Sequence, residues 1–246
     1  MNKRLRIFAG PNGSGKTSLY TYLTTQHYFQ PYFYINADVI YNELITTGFS
    51  VSNWPIVLEK EVIIEYFKNS TFSLHLDIDE VSEGLSVKGN SLSWNRSEQR
   101  ITYVCAALAD YLRYAMLQSN SSFSCETVFS HVSKLEFIED AKSHGYKVYL
   151  YFISTEQPLI NINRIQNRVE QGGHSVPDEK IRSRYYRTME NLLSAVRLAD
   201  KAYLFDNSGI EDGEMFQNFA EVQRGEISLL ADTAPAWFEE YILKRL

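Results

Sequence analysis

The sequence predicts an α/β fold with a mainly parallel sheet, and three observations point to it. Short apolar segments alternate with helical patterns along the 246 residues. A glycine-rich turn separates the first apolar segment from the first helix. No repeat or low-complexity tract interrupts the alternation. Parallel strands need long crossovers, which place helices on both faces and give a three-layer sandwich. A single domain of this class reaches such a length, and residues 1–246 are read as one.

The elements follow in order. Residues 5–9 read as a short buried strand, and 16–26 as the helix behind the glycine-rich turn. Residues 33–35 are a second strand, followed by helical patterns over 39–47 and 54–67. Phe72, Leu74, Leu76 and Ile78 alternate with polar residues, so 70–95 are read as an inserted β-hairpin turning near Gly89 and Asn90. A helix over 101–116 follows, with Ser97 as its expected cap, so the insertion covers about 70–120. Residues 122–128 form a strand and 132–144 a helix ended by Gly145. Residues 147–153 are apolar enough for a central strand. Helices over 160–170 and 177–198 flank a break at Gly172 and Gly173. A strand over 203–205, a hairpin turn at 223–226 and a short helix from Pro235 complete the chain.

Composition excludes several classes. The chain is 44 % hydrophobic and 22 % charged, so it is not a disordered polymer. A net charge of −6 argues against a general nucleic-acid binder. Cys105 and Cys125 have neither C-x-x-C nor zinc spacing and read as small core residues in a reducing compartment. The apolar run behind Lys3, Arg4 and Arg6 is too short for a signal peptide. No stretch approaches the ~20 apolar residues of a membrane span, so a soluble, cytoplasmic chain without membrane contact is expected.

The chemistry is carried by residues 10–17, Gly-Pro-Asn-Gly-Ser-Gly-Lys-Thr, which fit G-x-x-x-x-G-K-[ST] in full. The motif follows a strand and opens a helix, the context a P-loop requires. Its backbone N–H groups would bind phosphate oxygens, with Lys16 reaching the β- and γ-phosphates and Thr17 holding Mg²⁺. Gly10, Pro11, Asn12, Gly13, Ser14, Gly15, Lys16, Thr17 and Ser18 are therefore the candidate nucleotide contacts. Asp38 lies at the end of the next strand, where it either accepts a proton from a substrate hydroxyl or caps a helix starting at Val39. Glu126 also ends a buried strand and could hold a substrate polar group or a metal-bound water. Arg164, Arg168, Lys180, Arg182, Arg184 and Arg187 surround the glycine break, as suits a lid over about 164–187 that closes on a triphosphate. Lys180, Arg182 and Arg187 are read as a solvated helix face, and His174 either touches the lid or starts a helix. The fold expected is a P-loop NTPase sandwich with a helical lid and an inserted β-hairpin/helix segment; its kinase-like character is what a family resemblance implies.

These segments together resemble the zeta-toxin family of P-loop kinases. The matching stretches are 7–17, 35–38 (Ile-Asn-Ala-Asp), 126–130 (Glu-Thr-Val-Phe-Ser), 145–148, 168–177 and 206–208 (Asp-Asn-Ser). Within 168–177, Gly-Gly-His-x-Val-Pro is a hallmark of one branch of that family. The resemblance implies ATP or GTP as phosphoryl donor, Mg²⁺, and transfer to a hydroxyl of a small molecule such as UDP-N-acetylglucosamine. It also implies roles. Lys16 and Thr17 match the phosphate and magnesium contacts, Asp38 the catalytic base, and Arg168 a lid arginine on the phosphates. Glu126, with Thr127 beside it, matches the acceptor contact, and Asp206 and Asn207 fall near the nucleotide base. His174 stands where the toxins use a second arginine, and residues 70–120 show no resemblance.

The leading reading is a Mg²⁺- and ATP-dependent small-molecule kinase acting on a sugar nucleotide or related metabolite. An alternative is a nucleotide-binding partner of an antitoxin or regulator, with weak or no catalysis. A nucleic-acid kinase is third, disfavoured by the charge.

Overall fold

The computed structural model describes residues 3–96, 101–172, 175–209 and 216–246. Ser97, Gly173 and His174 lie outside the described residues. The first half of the chain contains β1 (Arg4–Ala9), α1 (Lys16–Thr25), β2 (Phe33–Ile35), α2 (Ala37–Leu44), β3 (Phe49–Ser50), α3 (Lys60–Asn69), α4 (Ile78–Gly84), β4 (Leu85–Lys88), β5 (Ser91–Trp94) and α5 (Ile101–Gln118). The second half contains β6 (Phe123–Thr127), α6 (Ser133–Ser143), β7 (Lys147–Ser154), α7 (Pro158–Glu170), α8 (Asp178–Leu198), β8 (Lys201–Asp206), β9 (Gln217–Gln223), β10 (Glu226–Leu229) and α9 (Ala236–Tyr241). The α/β fold with a mostly parallel sheet is the one expected. Among the described residues, no helix is long and apolar enough to cross a membrane.

The chain forms two compact units, Met1–Pro31 with Glu126–Leu246, and Tyr32–Cys125. In the first, the strands run in the order β10-β9-β8-β7-β1. β1 pairs parallel to β7 and β7 parallel to β8, whereas β9 and β10 join antiparallel. The register aligns Phe8 with Tyr151 and Tyr151 with Tyr203. Their rings consequently stack across three strands, with both centroid distances 4.8 Å. Such cross-strand aromatic pairs stabilise a register beyond the area they bury.

In the second unit, β2 and β6 pair parallel, placing Ile35 opposite Cys125. A three-stranded antiparallel sheet runs β3-β5-β4. Cys105 and Cys125 are both buried, the small core residues the sequence suggested.

Two expectations need correction. Residues 72–78 are not a strand: Thr71–Leu74 make a 3-10 turn and Ile78–Gly84 a helix. The Ser70 hydroxyl accepts from Phe72 N at 3.3 Å and Asp77 Oδ1 from Glu80 N at 3.1 Å. These caps outweigh an alternation that leaves Leu74 84 % exposed. Only the β4–β5 half of the expected hairpin forms. The helix expected from Trp54 starts instead at Lys60, because Asn90 pins the intervening chain. Its Nδ2 donates to Ile56 O at 2.9 Å and its Oδ1 accepts from Leu58 N at 3.1 Å.

Buried phenols link the stability of the fold to alkaline pH. Burial pushes Tyr146 and Tyr151 up to about 12. In the unfolded chain these groups lose their protons near the ordinary tyrosine value of about 10. Between those values the folded state binds more protons, so stability falls as pH rises. The melting temperature should therefore drop between about pH 10 and about pH 12, and Tyr151→Phe should make that drop shallower. A melting temperature independent of pH over this range would contradict the assignment.

Candidate active site

Residues 10–17 wrap the turn between β1 and α1. Gly15 has φ +99°, and a Cβ there would stand 2.6 Å from Asn207 Nδ2. Gly13 has φ +77°, and a Cβ would stand 2.7 Å from Asn161 O. Only glycine serves at either position. Gly10 packs against the carbonyl of Ile153, and Pro11 and Ser14 are buried.

The loop's carbonyl oxygens are held by side chains. Lys16 Nζ donates to Pro11 O at 2.9 Å, Asn161 Nδ2 to Asn12 O at 2.7 Å, and Asn207 Nδ2 to Ser14 O at 2.8 Å. In a trans peptide the next N–H points opposite to a fixed carbonyl. Holding the carbonyls therefore orients the amides of Asn12, Gly13 and Gly15 toward the other side of the loop. α1 begins with no side-chain cap, which leaves its first N–H groups for an anion. Thr17 and Ser18 are exposed in that first turn.

Glu126 joins the loop from the end of β6. Its Oε2 accepts from Thr17 Oγ1 at 2.7 Å, and its Oε1 lies 3.9 Å from Lys16 Nζ. Behind it the chain turns sharply. Thr127 Oγ1 accepts from Phe129 N at 3.2 Å, and Phe129 has φ +64°. α8 secures this turn. Thr188 Oγ1 donates to Val128 O at 2.7 Å and Asn191 Nδ2 to Phe129 O at 3.0 Å. Thr127 thus shapes the turn that carries Glu126.

Asn207 is fixed by its own N–H, which donates to Ser154 O at 2.9 Å. Asp206 accepts from Ser208 N at 2.9 Å and from the indole of Trp237 at 2.8 Å. The root of α7 is tied to the loop through Asn161, whose amide oxygen accepts from Thr155 Oγ1. Ile162, Ile165 and Ile181 pack α7 against α8. Arg164 is half-buried on this helix, whereas Arg168, one turn on, is exposed. Arg182 and Arg187 are exposed as well, in line with the solvated-face reading.

Asp38 belongs to the second unit and is not the helix cap. α2 starts at Ala37, and its cap is Asn36, whose side chain accepts from Asp38 N at 2.8 Å. Asp38 is in the first turn, where a carboxylate is favoured by the helix dipole. Burial, with Asp38's charge adding to it, pushes the Cys105 thiol up to about 12. Among the described residues, no group of three His, Cys, Asp or Glu forms a metal cluster.

Sequence reasoning missed Asn161, Thr188, Asn191 and the cap Asn36. Only Asn36 carried a signal, an Asx residue directly before a helix. Asn36→Ala should lower unfolding free energy by about 1–2 kcal/mol, and Asp38→Ala by less than about 1 kcal/mol. Denaturant titration of both variants checks this; the opposite ranking would restore Asp38 as the cap.

Comparisons with known proteins bear on the fold. No family model matches the chain. A Haemophilus influenzae protein described as uncharacterised is 30 % identical over 69 residues, 28 % of this chain. That match spans about half of the relative, 49 % of its length. A chain in the crystal structure of AvrRxo1-ORF1:AvrRxo1-ORF2 with sulphate ions superposes with a TM-score of 0.58 at 17 % identity, covering 98 % of this chain and 63 % of that one. The same complex with ATP gives 0.55 at 19 % identity, covering 93 % and 61 %. This chain therefore shares their α/β fold while spanning less than two thirds of their length.

Proposed function

We propose that this chain is a P-loop kinase that moves the γ-phosphoryl group of ATP or GTP onto a hydroxyl of a small-molecule acceptor. One observation carries the reading: a complete phosphate loop has Lys16, Thr17 and Glu126 converging at its mouth. The oriented amides of the loop and the α1 N-terminus would hold the phosphates. Lys16 would turn from Pro11 O to the transferring group, where its charge counts most as negative charge develops. The Thr17 hydroxyl and the Glu126 carboxylate are hard oxygen donors 2.7 Å apart, a set that suits Mg²⁺. When bound, that ion neutralises phosphate charge.

The acceptor oxygen forms its bond to the γ-phosphorus as the bond to the β,γ-bridging oxygen breaks. Asp38 takes the hydroxyl proton, a role assigned from its position after β2 and from the resemblance to zeta toxins. The same resemblance supports a UDP-sugar such as UDP-N-acetylglucosamine as acceptor, with Glu126 reaching it. Asp206 and Asn207 would border the nucleotide base. Arg168, on the outer part of a lid formed by α7 and α8, would meet the phosphates on closure.

A second reading has support of its own: a chain of this fold was crystallised in the AvrRxo1-ORF1:AvrRxo1-ORF2 complex. On that reading the protein acts through a protein partner such as an antitoxin, and ATP binding regulates the contact.

A metabolite extract incubated with γ-labelled ATP separates the two. The kinase reading expects label in a small molecule, and nucleotide binding without turnover favours the partner reading. Lys16→Ala should cost transfer at least about 10²-fold. Asp38→Asn should cost about 10²–10⁴-fold while ATP affinity holds. Arg168→Ala should lower turnover more than it weakens ATP binding, since its contact strengthens as charge develops. Wild-type transfer by Lys16→Ala would remove the P-loop from the mechanism, and full activity of Asp38→Asn would remove the base.

A further inference from the structure

The carboxylate of Asp206, at the end of β8, is taken up within the chain. Its Oδ1 accepts from Trp237 Nε1 at 2.8 Å and from the Ser208 hydroxyl at 2.9 Å, and its Oδ2 accepts from Ser208 N at 2.9 Å. The Ser208 hydroxyl oxygen also accepts from Glu156 N at 2.8 Å, and Glu156 Oε1 accepts from Ala236 N at 2.9 Å. A closed circuit of hydrogen bonds thus joins the segment after β7, the end of β8 and the start of α9. Trp237 is 2 % exposed, with its ring packed on Phe152, Phe219 and Phe238. Its N–H consequently has a fixed aim.

Arg164 has the opposite character. It stands within electrostatic reach of Asp206, yet its buried Nη1 has no hydrogen-bond acceptor among the described residues. Burial pulls its pKa below the ordinary value, and the charge of Asp206 opposes that pull. Arg164 sits on α7 between Asn161, which holds the Asn12 carbonyl, and Ile165, which packs near Gly13. A buried guanidinium N–H lacking an acceptor is costly, and a ligand oxygen would relieve that cost.

We propose that Trp237 is a positioning residue: its indole N–H occupies the Asp206 carboxylate and leaves Arg164 for an anionic oxygen of a nucleotide bound on the glycine loop. This rests on the nucleotide-binding reading above. Without the indole N–H, Asp206 Oδ1 gains accepting capacity, and Arg164 is a cation within its electrostatic reach. A charge-assisted pair between them would then compete with the nucleotide.

Calorimetric titration of ATP into wild type, Trp237→Phe, Arg164→Ala and the double variant tests this, with melting temperature recorded for each. Trp237→Phe and Arg164→Ala should each weaken ATP binding by about tenfold, the worth of one charge-assisted hydrogen bond. The double variant should bind no more weakly than Arg164→Ala alone, because capture requires the arginine. Ser208→Ala, which also frees Asp206 Oδ1 but lies outside the aromatic core, should weaken binding in the same Arg164-dependent way. It decides the matter if Trp237→Phe does not fold. A lower melting temperature with unchanged ATP affinity, or losses that add in the double variant, would overturn the proposal and leave nucleotide binding standing. A wild-type chain that binds no ATP would overturn both.

Discussion

The carbonyl oxygens of the glycine loop are the constraint on which the site depends. A loop that binds anions through its amides must keep its carbonyls turned away, and free peptide units have no reason to do so. Here Pro11, Asn12 and Ser14 each have the carbonyl fixed by a side-chain donor, from Lys16, Asn161 and Asn207. Each bond contributes only about 1 kcal/mol net. Together they remove conformers in which a carbonyl would repel phosphate, so the cost of ordering the loop falls on folding rather than on ligand binding.

That constraint explains the surrounding architecture. Asn161 must come from the start of α7, and Thr155 in turn orients it. Asn207 must come from the end of β8, which is held by the parallel pairing to β7 and by the aromatic ladder of Phe8, Tyr151 and Tyr203. Glu126 reaches Thr17 because α8 locks the strained turn at Phe129 through Thr188 and Asn191. In such a scheme the strand core is a rigid frame, and the polar residues at strand and helix ends set the chemistry. The second unit uses the same device on a smaller scale, with Asn36 at the end of β2 starting α2 and thereby placing Asp38 in its first turn.

How legible this was depends on the range of each interaction. The loop, its strand and its helix are contiguous, so their motif and periodicity could be read directly. The strand-ending residues Glu126 and Asn207 were legible as positions, but Asn207 supports the loop carbonyl of Ser14, which no local pattern reveals. Asn161 is 149 positions from the carbonyl it holds, and nothing near it marks that role. The alternation at 72–78 misled because Ser70 and Asp77 cap short helical turns there, and capping outweighs a weak period-two pattern. Trp54 to Glu59 misled for a related reason: Asn90, distant in sequence, supplies the hydrogen bonds that keep them extended.

Diffraction from crystals of the chain grown with Mg²⁺ and a non-hydrolysable ATP analogue tests the central claim most directly. The account predicts phosphate oxygens on the amides of residues 12–17, with the carbonyl contacts of Asn161 and Asn207 unchanged. It also predicts that the Thr17 hydroxyl leaves Glu126 for the metal, and that Lys16 leaves Pro11 for phosphate. An analogue bound elsewhere, or a loop whose carbonyl contacts break on binding, would contradict it.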